Sequence, residues 1–173
     1  MCHILYRWFY HHSDPHTLLK LYLTIIRPHL EYASPAWDPF HKTEIDAIEN
    51  VQKFALKVCL KSWDSGYDSL LMNAQIPSQK TGSTQMNLCH LYKIINEVTH
   101  FPAAPVRPRA MHYNSRSVNS NSVSVPKLNT SSYQYSFFPK SLSLWNKLPE
   151  EVTNRTNVNT FKHHLSLIEF KVI

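Results

Sequence analysis

The chain has 173 residues, 43% of them hydrophobic and 12% aromatic, which suffices for one ordinary domain or two small ones and argues against wholesale disorder. Only 2 glycines occur against 11 prolines, so neither a GxGxxG nor a GxxxxGK[ST] phosphate loop can form, which excludes nucleotide-binding proteins that depend on those loops. The formal net charge of +6, from 18 Lys and Arg against 12 Asp and Glu, favours a polyanionic partner such as nucleic acid, or an anionic membrane surface.

The first predicted helix begins at Asp14-Pro15, where a capping side chain precedes a proline at the first helical position. Apolar residues at helical spacing continue from there to Ile26. Pro28 follows, and it is expected to break or kink the helix because proline lacks a backbone N–H.

A second predicted helix runs from Thr43 to Leu60, with Thr43 and Asp46 spaced as a capping box. Apolar residues occupy one broad face of this helix at about 100° per residue. The opposite face carries lysines one turn apart, which are Lys53, Lys57 and Lys61.

Two further helices are predicted at residues 67–74 and 82–99. The segment from Val98 to Pro149 then contains six Arg and Lys and no Asp or Glu, and it is rich in Pro, Ser and Asn. Within it, residues 122–125 alternate like a short strand that Pro126 ends. Helical pattern returns at residues 141–148 and 158–170.

These patterns predict a mainly α fold: a small helical bundle, a basic extended connector with a short strand or two, and helices at the C-terminal end. The predicted boundaries are 1–100 for the bundle, 101–139 for the connector and 140–173 for the last helical segment. The 3 cysteines form no CxxC pair, which indicates a reducing compartment. No stretch approaches the ~20 apolar residues of a membrane span. We therefore expect an intracellular protein, in the nucleus or cytoplasm, with no membrane partner.

Catalytic and metal-binding chemistry finds little support in the sequence. Asp64 and Asp68 are one turn apart, but carboxylates at a helix start more often cap the helix than bind cations. Cys89 and His90 are adjacent, and adjacent helical residues diverge by about 100°, too far to act together. A zinc site can be imagined from His12 and His16 with the nearby Cys2-His3 pair, although Pro15 interrupts it. We expect no enzyme activity, metal or cofactor.

Nucleic-acid binding is better supported by the residue pattern. Lysines one helical turn apart match the roughly 6–7 Å spacing of phosphates along one strand. The acid-free connector adds guanidinium groups interleaved with aromatic side chains that suit base stacking. These guanidinium groups belong to Arg107, Arg109 and Arg116. The alternative, a solvated lysine face beside a basic loop, is equally compatible with the pattern and stays open.

Separated segments of the chain carry motifs in a definite order. They are 18–22 (LLKLY) leading into 26–39 (IRPHLEYASPAWDP), 48–55 (IENVQKFA), 133–139 (YQYSFFP) and 144–152 (LWNKLPEEV), followed by 161–162 (FK). In these residues and in their order, the chain resembles the reverse transcriptases of non-LTR (LINE-like, jockey-related) retrotransposons, where they lie downstream of the catalytic palm.

This resemblance implies that the chain is the thumb and post-thumb part of such a polymerase, in which helices pack beside the template–primer duplex. It makes Arg27 and the lysine face of the second helix candidate phosphate contacts, with RNA or an RNA/DNA hybrid as partner. It also makes Trp37, Trp145 and Phe161 candidates for holding the helices together. The other motif positions that the resemblance assigns to structure are Tyr22, Pro28, Tyr32, Gln52, Phe138 and Pro149.

The family's palm carries a Tyr/Phe-x-Asp-Asp turn, and no two aspartates are adjacent anywhere in this sequence. We therefore expect the chain not to polymerise DNA alone, and the palm and fingers to be partners that it lacks. Two alternatives remain open: a non-catalytic helical module for protein interaction, and a decayed transposon remnant with no activity.

Overall fold

A computed structural model of the chain describes residues 5–32, 34–101, 106, 121–126 and 130–168. The fold is mainly α, which confirms the predicted fold class. Helices α1 to α6 are Pro15–Leu21, Arg27–Glu31, Ser34–Trp37, Lys42–Leu60, Tyr67–Ala74 and Gln79–Ile95. Helices α7 to α10 are Ser131–Gln134, Phe137–Trp145, Glu150–Thr153 and Val158–Ser166. Two short π-helical turns, Leu5–Phe9 and Tyr22–Ile26, precede α1 and α2.

The chain divides into two compact units, Met1–Ser83 and Thr84–Ile173. The division falls inside α6, whereas the sequence placed the end of the bundle at residue 100. The physical reason is that Leu88, Leu91 and Tyr92 of α6 belong to the hydrophobic core of the second unit. Most of the predicted connector lies outside the described residues, but its end is helical, since it contains α7 and the start of α8.

Helix α1 begins as predicted, because the Asp14 carboxylate caps its first turn. Asp14 accepts a hydrogen bond from the Thr17 backbone N–H at 3.1 Å and another from the Thr17 hydroxyl at 2.6 Å. Pro28 is the second residue of α2, and the backbone before it stays helical through the π-helical turn Tyr22–Ile26. Pro28 therefore does not break the helical run, and the irregularity near it is this π-helical turn between α1 and α2.

The capping box predicted for α4 is wrong. The helix begins one residue early, at Lys42, so Thr43 lies inside its first turn and the N-cap is His41, whose side chain makes no capping hydrogen bond. At the other end the C-cap is Lys61, which adopts the left-handed conformation with φ of 52°. Glycine is usual at such a position, so Lys61 carries some backbone strain.

The core of the first unit lies between α1, α4 and α5. The Cys59 thiol of α4 donates a hydrogen bond to the Leu18 carbonyl of α1 at 3.4 Å, at the centre of this contact. The buried apolar side chains are Leu18, Tyr22, Ile26, Ala55, Leu56, Val58, Cys59, Leu70 and Ala74.

The core of the second unit is built around three aromatic rings. Tyr92 stacks on Phe161, with centroids 4.4 Å apart and planes inclined by 24°, and the Trp145 ring lies 5.8 Å from Phe161. The Trp145 indole donates to the Asn121 carbonyl at 3.1 Å. The predicted strand at 122–125 is reduced to a single bridge position at Val123 among the described residues.

Candidate nucleic-acid interface

The three predicted lysines do not form one continuous helical row. Lys53 and Lys57 lie on α4 and are half-buried, whereas Lys61 is exposed and follows the last helical residue. The left-handed backbone of Lys61 takes its side chain out of the helical spacing, and its Nζ lies 5.5 Å from the centroid of the Tyr10 ring. The row with helical spacing is therefore limited to Lys53 and Lys57.

These lysines keep their charge available. Lys57 Nζ donates to the Trp63 carbonyl at 2.6 Å, which occupies one of its three N–H groups. Among the described residues, no carboxylate forms an ion pair with Lys53, Lys57 or Lys61. The positive charge at this end of α4 is not cancelled by a paired acidic side chain there.

Aromatic side chains surround the end of α4, and the sequence had not indicated that they would meet. Trp63, in the loop between α4 and α5, lies near two tyrosines that precede α1. The Trp63 ring is 6.0 Å from Tyr6 and 6.3 Å from Tyr10, and its Nε1–H donates to the Tyr10 hydroxyl at 3.1 Å. The centroid of the Phe54 ring of α4 lies 6.1 Å from that of the Trp63 ring. We call Tyr6, Tyr10, Phe54 and Trp63 the aromatic cluster.

The sequence held one signal for the aromatic cluster. Tyr6 and Tyr10 are four residues apart, a spacing that places two side chains on one side of a helical turn, and their centroids are 5.0 Å apart. Trp63 is 53 residues away from Tyr10 along the chain, so only the packing of α1 against α4 brings it there.

Arg27 does not belong to the predicted set of phosphate contacts. Its side chain is only 10% exposed, and its Nε donates to the Glu31 carboxylate at 2.6 Å within α2. A guanidinium that is buried and paired in this way is already neutralised by its neighbour. Arg27 is a structural residue here. The other predicted arginines, Arg107, Arg109 and Arg116, lie outside the described residues.

The motif positions assigned to structure fall into two groups. Tyr22, Gln52, Trp145 and Phe161 are buried, and Gln52 ties α4 to the loop before α6 by donating to the Pro77 carbonyl at 3.0 Å. Phe138 is half-buried and Trp37 ends α3. The exposed positions are Pro28, Tyr32 and Pro149.

The described residues offer little for catalysis or metal binding. Burial raises the pKa of the Cys89 thiol, which favours the unreactive protonated form. Asp68 is an exposed residue in the first turn of α5, as expected of a carboxylate near a helix start. No group of three His, Cys, Asp or Glu that could hold a metal ion occurs in the described part of the chain, and Cys2 and His3 lie outside it.

Comparison of the chain with protein-family models, with curated proteins and with solved structures finds no match. Within the described ranges, no helix combines the length and the hydrophobicity needed to cross a bilayer. The features that bear on function are therefore the ordered sequence motifs, the lysines at the end of α4 and the aromatic cluster beside them.

Proposed function

We propose that this chain is the thumb and post-thumb part of a non-LTR retrotransposon RNA-directed DNA polymerase. In this role it contacts the backbone of an RNA/DNA template–primer and does not itself catalyse polymerisation. The sequence motifs in family order support the assignment. The observation that carries the binding role is the set of lysines at the end of α4, which no carboxylate of the described residues neutralises.

The lysines suit a phosphate backbone for two reasons. Lys57 retains two N–H donors after its bond to the Trp63 carbonyl, and the ammonium of Lys61 is exposed. Binding that neutralises phosphates releases condensed counterions, so the affinity falls steeply as salt rises. The palm and fingers, which carry the reaction in this family, are the expected protein partners.

The test is a titration of a labelled RNA/DNA hybrid at about 50 and 200 mM salt. We expect salt-dependent binding, and the variant Lys53→Gln/Lys61→Gln should reduce the slope of log K against log[salt] by about 1–2. Lys147→Gln/Lys162→Gln is the matched control, because it removes the same charge from exposed positions of the other unit. Equal slopes for the two double variants, or no salt-dependent binding by the wild type, would refute the proposed contact with the template–primer backbone.

A second candidate function is protein interaction, and the exposed apolar side chains of the first unit favour it. Trp8, Tyr32 and Met72 are 67%, 78% and 77% exposed. Exposed apolar side chains mark a protein contact where they form a contiguous patch. Light scattering together with a dye that reports exposed apolar surface tests this candidate. A clean monomer that binds no dye would count against it.

A further inference from the structure

Trp63 is held in place by three independent contacts. Its indole N–H donates to the Tyr10 hydroxyl at 3.1 Å, and its carbonyl accepts a hydrogen bond from Lys57 Nζ at 2.6 Å. The Phe54 ring packs against the indole in a T-shaped arrangement at 6.1 Å. Because the polar atom of the side chain is already bonded within the protein, the part that faces solvent is aromatic surface.

That aromatic surface is accessible. Trp63 is 40% exposed and Tyr6 is 41% exposed, and their rings are perpendicular, with an interplanar angle of 88°. Neither residue belongs to the hydrophobic core of the first unit. Two accessible rings fixed at the edge of a core are therefore available for stacking with a planar group from outside.

Positively charged side chains lie beside the aromatic cluster. Lys61 Nζ lies 5.5 Å from the Tyr10 ring centroid, Lys57 Nζ is bonded to the Trp63 backbone, and Arg7 is exposed next to Tyr6. The one carboxylate adjacent to Trp63 in the sequence is the exposed Asp64. The occupant that this combination complements is planar and negatively charged.

We propose that the aromatic cluster, with Lys57 and Lys61, binds an unpaired nucleotide of a single-stranded nucleic acid. The base stacks on the Trp63 ring and meets the perpendicular Tyr6 ring edge-on, and the lysines contact the adjoining phosphates. Bases inside a duplex have no free face, so this site selects single strand over the hybrid. The inference rests on the proposed nucleic-acid role and adds the kind of strand that is bound. Since every base has a π face and the indole N–H is already used, we expect little sequence preference.

The test measures binding of labelled oligo(U), oligo(dT) and an abasic sugar–phosphate strand of equal length to the full chain. The wild type should bind both base-containing strands more tightly than the abasic strand. Trp63→Ala should weaken binding of the base-containing strands about five- to a hundredfold and leave the abasic strand unaffected. Trp63→Phe and Tyr6→Ala keep the test valid if Trp63→Ala fails to fold, since the former retains a ring for stacking and the latter removes the ring that meets the edge of the base.

Phe40→Ala is the matched control, because Phe40 is an aromatic residue outside both the aromatic cluster and the connector, with a similar exposure of 37%. It should leave all three affinities unchanged. Equal binding of abasic and base-containing strands, or an equal effect of Trp63→Ala and Phe40→Ala, would overturn the stacking site. Salt-dependent binding of the hybrid would in that case still support the proposed function. Capture of a proline-rich peptide by the cluster, with no single-strand binding, would also overturn this inference.

Discussion

The carboxylate of Glu49 accepts a hydrogen bond from the hydroxyl of Tyr67, and this contact joins the middle of α4 to the start of α5. The same carboxylate accepts from the backbone N–H of Lys80 at 2.9 Å and of Gln79 at 3.3 Å, at the start of α6. One acidic side chain thus ties three helices together and places negative charge at a helix N-terminus, where it is favourable. Burial and the hydrogen bond to Glu49 raise the pKa of Tyr67, so its hydroxyl stays a donor.

Removing this carboxylate should destabilise the first unit. We expect Glu49→Ala to lower the free energy of unfolding by about 1.5–3 kcal/mol, because charged hydrogen bonds are lost and their donors are left without a partner. Glu49→Gln keeps an acceptor and should cost less, and Tyr67→Phe should cost about 1 kcal/mol. Urea denaturation followed by circular dichroism measures these losses.

The exposed Glu44 of the same helix provides the control for these variants. Glu44→Ala should change the free energy of unfolding by no more than about 0.5 kcal/mol. An equal cost for Glu49→Ala and Glu44→Ala would show that the three-helix contact contributes nothing to stability.

Some helix positions were predictable because they depend on local patterns. Apolar residues at helical spacing placed α5 at its observed bounds and α4 within one residue, and the cap at Asp14 is the one expected. The helices predicted at 82–99 and 141–148 instead run over Gln79–Ile95 and Phe137–Trp145. The division inside α6 was not predictable, since periodicity alone cannot show that the two ends of one helix belong to different compact units.

The candidate site was predicted only in part. Lysine spacing placed Lys53 and Lys57 on α4, but Lys61 departs from the helix through a left-handed backbone that no glycine signalled. Arg27 was misassigned because a charged residue on a helix gives no sign of burial until its neighbours are known. The aromatic cluster depends on contacts between distant parts of the chain, which a local pattern does not encode.

The aromatic core of the second unit gives the largest expected effect of a single change. Phe161 is fully buried between Tyr92 and Trp145, so Phe161→Ala should lower the free energy of unfolding by about 3–5 kcal/mol. Tyr92→Phe removes only the hydrogen bond from its hydroxyl to the Arg155 carbonyl at 2.6 Å, and should cost about 1 kcal/mol.

Leu167 is the matched control for Phe161, because it lies just after the same helix and is 68% exposed. Leu167→Ala should change the free energy of unfolding by no more than about 0.5 kcal/mol. Urea denaturation of the Phe161, Tyr92 and Leu167 variants measures these changes. If Phe161→Ala cost as little as Leu167→Ala, the ring would not be the centre of this core.

Variants of Arg27 and Lys53 should separate an effect on stability from an effect on hybrid binding. Arg27→Gln leaves Glu31 without its partner, and we expect it to lower the free energy of unfolding by about 2 kcal/mol, less than a fully buried pair because Glu31 is 19% exposed. Lys53→Gln should leave stability nearly unchanged and weaken hybrid binding. Urea denaturation and the hybrid titration, done on both variants, check this. A greater loss of hybrid affinity in folded Arg27→Gln than in Lys53→Gln would return Arg27 to the interface.

Gly82 tests how closely the Arg27–Glu31 pair packs against α6. A Cβ added at Gly82 would lie 3.0 Å from Arg27 Nη2 and 3.1 Å from Glu31 Oε1, closer than an ordinary contact. Alanine in a helix is favoured over glycine by about 1 kcal/mol. We expect Gly82→Ala to yield this gain only in the Arg27→Gln background, where the shorter side chain leaves room and Glu31, without its ion pair to Arg27, can move away from the added Cβ. A full gain in the wild-type background, measured by thermal or urea denaturation, would show that the Arg27 and Glu31 side chains move away from the added Cβ without a cost in stability.

The cap of α1 should make part of the stability depend on pH. Hydrogen bonds from the Thr17 hydroxyl and backbone N–H lower the pKa of Asp14 below its ordinary value of 3.8. A group whose pKa is lower in the folded state stabilises the fold when ionised, so this contribution is present above about pH 5 and is lost as the pH falls through the folded-state pKa.

Asp14→Asn isolates this contribution, because asparagine keeps a capping acceptor but carries no charge. The wild type should be more stable than Asp14→Asn at neutral pH, and the difference should shrink as the pH falls through the folded-state pKa of Asp14. Thermal unfolding of the two proteins across this range measures the difference. A gap between wild type and Asp14→Asn that persists unchanged in acid would mean that side-chain shape, and not the ionised carboxylate, holds the start of α1.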